Sequence, residues 1–219
     1  FWNGKYIYFT DPGNSEWQNY LFTNLDYLFS HLAFDGFHID QIGDWGNKYN
    51  YLGQKVAYDQ GFGSFINGFK TRFPEKKAVM NAVSQYAQSY IVASEVDFAY
   101  TECWNWNTYE DNYIDLASII RNNFKWSGGK NSVLAAYMNY KNPNSDYFNT
   151  ASVLRTNAVI FAWGGSHIEL GEHMLSNEYF LDNRMKMKED LQSSFIRYYD
   201  FLVAYENILR DGGTYGSVE

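Results

Sequence analysis

Apolar residues along this chain follow two alternating rhythms. Short runs rich in β-branched and aromatic side chains read as strands, and stretches with apolar residues three and four apart read as helices. Residues 5–10 form the first expected strand, closed by the turn signal Asp11-Pro12-Gly13-Asn14. Asn14 or Ser15 then caps a helix whose stripe of Trp17, Tyr20, Leu21, Leu25, Leu28 and Phe29 runs to about Leu32. In residues 34–46 the pattern changes to strict alternation, with Phe37, Ile39 and Gln41 on one side and His38 and Asp40 on the other. Gly43 and Gly46 end that strand. Residues 47–61 show no clear period and read as a long, Tyr-rich loop.

The alternation then repeats. A helix is expected over 64–72, a strand over 78–83, a short helix over 84–93 and a strand over 96–101 that stops at Glu102. A helix over 111–124 follows, then a strand over 132–138, a short helix over 151–157 and a last strand over 159–163, released by Gly164 and Gly165. Residues 183–209 carry one long helical stripe, from Met187 through Leu191, Phe195, Tyr198, Leu202 and Tyr205 to Leu209. Strand and helix in strict turn mean a parallel sheet built from right-handed crossovers, an α/β fold. The count is about six parallel strands, where a closed (β/α)8 TIM barrel has eight. The expectation is therefore an incomplete barrel, its C-terminal portion. The start at Phe1, with structure almost at once, reads as a fragment whose first strands lie upstream. Such a piece by itself is expected to be aggregation-prone and weakly active or inactive, because unpaired strand edges invite association.

Composition sharpens the picture. Aromatic residues make up 20% of the 219, with 7 Trp, 20 Tyr and 17 Phe. Some of these rings belong to the core, but Tyr hydroxyls and Trp N–H groups need partners there. Rings left at the surface suit the apolar C–H faces of sugars. A formal net charge of −8 argues against nucleic acid and anionic membranes as partners. No run approaches the roughly 18 apolar residues of a membrane span, nor is there a signal-like amino terminus. The lone Cys103 forms no internal disulfide and says nothing about compartment.

Asp40 and Glu102 each follow an apolar strand and precede a loop, which on a (β/α) barrel is the catalytic rim. Two carboxylates so placed suit glycoside cleavage: an ionised one attacks the anomeric carbon, and a protonated one gives its proton to the departing oxygen. His38, Gln41 and Asp44 stand near Asp40 as candidate hydrogen-bond partners, and Trp104, Trp106 and Cys103 near Glu102 as an apolar wall. His38 and Asp40 also share a face in the manner of a metal pair, with His167 or His173 as conceivable third ligands. No second metal-type spacing accompanies them. Trp45, Trp104, Trp106 and Trp163 are candidate stacking platforms, and Trp163 is also placed to pack behind its strand.

Residues 34–46, 100–104, 135–140 and 166–172, with 11–20 and 174–180 in the same order, resemble glycoside hydrolase family 66. That family contains endo-dextranases and cycloisomaltooligosaccharide glucanotransferases. The resemblance implies that residues 1–219 are the third to eighth strands of the catalytic barrel. It implies Asp40 as nucleophile and Glu102 as acid/base of a retaining, double-displacement hydrolysis of internal α-1,6 bonds in dextran. Substrate binding is expected from His38, Asp44, Trp104, Asn139, Tyr140, His167 and Glu169. The partner implied is an α-glucan polysaccharide or isomaltooligosaccharide, with no cofactor and no metal, and the location secreted or cell-surface. The alternatives are a cyclising glucanotransferase, which the short 46–63 segment disfavours for want of an inserted module, and a glucan-binding fragment without catalysis.

Overall fold

The computed structural model describes residues 8–41, 43–103, 112–138, 146–168 and 186–209. The chain divides into two compact units, Phe1–Tyr100 with Lys125–Lys130, and Thr101–Phe124 with Asn131–Glu219. Both mix helices with parallel strand pairing.

In the first unit, helix α1 (Ser15–His31) begins at Asn14, whose Oδ1 accepts the Trp17 amide at 2.9 Å. The capped end carries Glu16 and the far end His31, each favourable to the helix dipole. Strand β1 (Gly36–Ile39) follows, then a small antiparallel hairpin of β2 (Lys48–Tyr49) and β3 (Lys55–Val56). The hairpin lies where the sequence reads as unstructured loop. Its turn is local chemistry: Asn50 Oδ1 accepts the amides of Leu52 and Gln54, and Gly53 takes a φ of 75°.

Helix α2 (Tyr58–Arg72) starts six residues before the expected point. Gly61 and Gly63 hide the start, since glycine weakens a helix by about 1 kcal/mol relative to alanine. Packing explains both. A Cβ on Gly61 would lie 2.8 Å from Gly13 N, and one on Gly63 2.9 Å from Tyr90 O. Strand β4 (Lys77–Met80) pairs in parallel with β1, from Gly36 opposite Lys77 to Ile39 opposite Met80. The helix expected over 84–93 is a 3₁₀ turn (Val83–Gln85), left-handed at Ser84 and Gln85, and a short α3 (Gln88–Ala93) that follows left-handed Ala87. Between α1 and α2, Phe22 meets Phe69 and Phe73 edge-on and Phe65 at a tilt, and Ile39, Ala78 and Met80 bring both strands into the same core. Asn81 extends the pairing through a parallel bridge to Tyr100.

The chain crosses between units inside β5 (Ala99–Cys103). The second unit continues with α4 (Tyr113–Ser127), whose end from Lys125 counts with the first unit, then β6 (Ser132–Ala136), α5 (Thr150–Ala162), β7 (Gly165–His167), α6 (Glu189–Ala204) and α7 (Glu206–Leu209). Strand order is β5-β6-β7, with β6 and β7 parallel. Here the expectation for residues 159–163 is overturned. They are not a strand but the end of α5, whose buried Val153, Thr156, Asn157 and Ile160 follow a helical period. A short apolar run cannot by itself distinguish a strand from a buried helix. The helix stops at Gly164, with φ 84°, and the strand is the nearly apolar-free Gly165-Ser166-His167. Gly165 packs closely there: a Cβ would stand 2.8 Å from Ile120 Cδ1, so that side chain would have to shift. Residues 5–7 of the strand expected at 5–10 lie outside the described residues, and residues 8–10 are not in a strand. The long C-terminal helix is broken at Tyr205.

Candidate active site

Alternation along β1 carries Asp40 to the site. Ile39 and Gln41 turn inward and are buried, while His38 and Asp40 face out. Asp40 stands one residue past the carboxyl end of the strand. Its Oδ1 accepts two hydrogen bonds, from the Gln41 amide at 2.8 Å and from Asn81 Nδ2 at 2.9 Å. Its Oδ2 has no hydrogen-bond partner among the described residues. The carboxylate is thus held by one oxygen and presents the other.

The neighbours of Asp40 divide by role. Gln41 braces the loop, donating from Nε2 to the Tyr86 carbonyl at 3.0 Å and accepting the Gly43 amide at 2.9 Å. His38 meets the Tyr100 ring edge-on, 5.4 Å between centroids, and makes no bond to Asp40. Asp44 is exposed and accepts the Gly46 amide at 2.8 Å, an Asx turn that shapes the loop. Burial, and then Asp44, pushes the Tyr86 hydroxyl above the ordinary tyrosine range. Trp45 is exposed in the same loop. Asn81 is the residue that sequence reasoning missed. Its signal was present, a lone amide directly after the apolar run Ala78-Val79-Met80.

In the second unit, β5 runs through Glu102 to Cys103, so the carboxylate is on the last turn of the strand rather than beyond it. Thr101 and Cys103 are buried and Glu102 half-buried, the alternation of a strand. Tyr137, just past β6, donates its hydroxyl to Glu102 Oε1 at 3.3 Å. Behind the strands, buried Asn123 donates to Thr101 Oγ1 at 3.3 Å and Ser132 Oγ at 2.8 Å, tying α4 to β5 and β6. His167 lies within β7. Its Nδ1 is 2.7 Å from Asn157 Oδ1 and its Nε2 3.1 Å from the Ala136 carbonyl. A sugar hydroxyl would have to displace one of these oxygens to reach a ring nitrogen. Trp163, partly buried, packs against the Cys103, Ile119 and Ile120 cluster with Arg121 over its face, at the edge of that core. Trp104, Asn139, Tyr140 and Glu169 lie outside the described residues. Among the described residues, no group of three or more His, Cys, Asp or Glu is placed to share a metal ion.

The family model of glycosyl hydrolase family 66 matches residues 2–219. Two cycloisomaltooligosaccharide glucanotransferases of Niallia circulans are 33% identical over 148 residues and 30% over 162, covering 63% and 69% of this chain. A dextranase of Streptococcus salivarius is 24% identical over 261 aligned positions, 99% of this chain. The chain spans between 15% and 31% of the length of these curated relatives. A solved cycloisomaltooligosaccharide glucanotransferase of a Paenibacillus species, complexed with cycloisomaltoheptaose, matches with a TM-score of 0.85 at 21% identity, over 95% of this chain and 49% of that one.

Proposed function

The chain belongs to glycosyl hydrolase family 66, and on that premise we propose that it is part of a (β/α)8 barrel, residues 1–219, that hydrolyses internal α-1,6 bonds of dextran with retention. Asp40 Oδ2 attacks the anomeric carbon as the glycosidic C–O bond breaks, and Glu102 gives its proton to the departing oxygen. A water, its proton taken by Glu102, then releases the sugar and returns the electron pair of the ester bond to Asp40. The observation that carries this reading is Asp40 itself, at a strand's carboxyl end with one oxygen clamped by two donors and the other without a hydrogen-bond partner among the described residues. The half-buried Glu102 at the end of β5, touched by the Tyr137 hydroxyl, supports the second role. The activity belongs outside the cell or at its surface, where such a polymer is met.

The test is turnover of dextran, read as new reducing ends and linear isomaltooligosaccharides. Asp40→Gly abolishes it, and added azide restores a single displacement that yields a glucosyl azide of inverted configuration. Glu102→Gln loses most on dextran and spares an aryl isomaltoside whose leaving group needs no proton. Equal loss on both substrates removes Glu102 from the acid role. Cyclic products without new reducing ends replace hydrolysis by the transfer reaction for which the Niallia relatives are named.

A further inference from the structure

We infer that Asn81 is a positioning residue for the reaction: its side-chain amide pins Oδ1 of Asp40 and so selects Oδ2 as the attacking oxygen. The inference rests on Asp40 being the nucleophile. Asn81 is 1% exposed and sits just past β4, as Asp40 sits just past β1. Its backbone is held from both sides, by its own N–H on the Ile39 carbonyl at 2.9 Å and by the parallel bridge to Tyr100. The amide therefore reaches Asp40 from a frame that has little freedom to move. An aspartate side chain has two rotatable bonds, and the Asn81 and Gln41 donors meeting on one oxygen fix both.

The choice of amide matters chemically. Asn81 offers an N–H without adding a charge beside the carboxylate. In the first step Oδ2 bonds to the anomeric carbon, and Oδ1 becomes the carbonyl oxygen of the ester, still accepting both N–H groups. In the second step the C–Oδ2 bond breaks and the charge that returns to the carboxylate meets the same two donors. Neither step requires the donors to move, which is the condition for preorganised stabilisation.

The experiment compares the full chain with Asp40→Gly, Asn81→Ala and Asn81→Asp on dextran and on 2,4-dinitrophenyl α-isomaltoside, with isomaltotriose affinity and thermal unfolding measured alongside. Asn81→Asp keeps size and shape but sets an acceptor where Oδ1 needs a donor. Both Asn81 variants are expected to lose about 10²-fold in kcat on both substrates, with KM and isomaltotriose affinity within about threefold of the parent. Loss on the aryl substrate separates this effect from an acid/base defect. If Asn81→Ala does not fold, Asn81→Asp decides; if neither folds, Asn81 is structural and the inference is overturned. Turnover within about threefold of the parent, or a defect confined to binding, also overturns it. If Asp40→Gly is inactive and rescued by azide while the Asn81 variants behave as the parent, this inference alone fails. Turnover by Asp40→Gly without azide overturns the nucleophile reading and takes the inference with it.

Discussion

Single side chains decide where the strands of the first unit begin. Asp97 accepts the Ala78 amide at 2.7 Å, and its carboxylate lies 2.9 Å from Lys77 Nζ and 3.6 Å from Lys70 Nζ. Burial pushes this carboxyl upward, but the Ala78 amide, Lys77 and Lys70 together outweigh it and hold the group below the ordinary aspartate range. The sign follows directly. A depressed native value means the stabilisation is fully present above the unfolded value, near 3.9, and is lost as pH falls through the native one. Asp97→Asn keeps an acceptor for Ala78 and removes the charge. It is expected to cost about 1–2 kcal/mol at pH 7, a figure reduced by partial exposure. Thermal unfolding across pH checks this: the gap between the two proteins should close as pH drops below about 4. A gap unchanged at acid pH would mean that the charge contributes nothing.

At the scale of elements, the β1–β4 pair sets the candidate site, since Asp40 and Asn81 project from its two adjacent ends. At its other end the pair leaves no room for a side chain. A Cβ on Gly36 would overlap the Lys77 carbonyl oxygen and stand 2.8 Å from Lys77 Cβ. Backbone cannot yield there as a flexible side chain would. Gly36→Ala is expected to destabilise by about 1–3 kcal/mol, seen as a lower urea midpoint. It should also depress kcat more than KM, because a register shift at Gly36 moves the far ends that carry Asp40 and Asn81. Unchanged kcat in the folded variant would show that the strand pair does not transmit the strain.

For the whole molecule, charge and substrate chemistry meet in one expectation. The chain carries a formal charge of −8 and the proposed substrate carries none. Screening by salt acts on charge pairs, so a neutral polymer should be indifferent to it. Between about 20 and 500 mM NaCl the KM for dextran is expected to change by less than about twofold. Dextran sulfate, with the same backbone but many negative charges, should compete poorly at low salt. A KM that climbs steeply with salt would point to a charged ligand and away from dextran.

The sequence by itself determined what depends on near neighbours in the chain. A cap at Asn14 or Ser15, the α1 stripe, the inward and outward alternation around Asp40 and the alternating α/β order were all legible, because each is set by residues within a few positions. Only the tertiary structure decided what depends on distant contacts. Gly61 and Gly63 read as helix breakers until Pro12, Gly13 and Tyr90 are packed against them. Residues 159–163 carry the same apolar signal whether buried as strand or as helix, and only the pairing of Ser132–Leu134 with the polar Gly165–His167 settles which. The partnership of Asn81 with Asp40 joins residues 41 apart in sequence. Periodicity carries no information at that range, because a side-chain amide finds its carboxylate only after β1 and β4 have taken their parallel register.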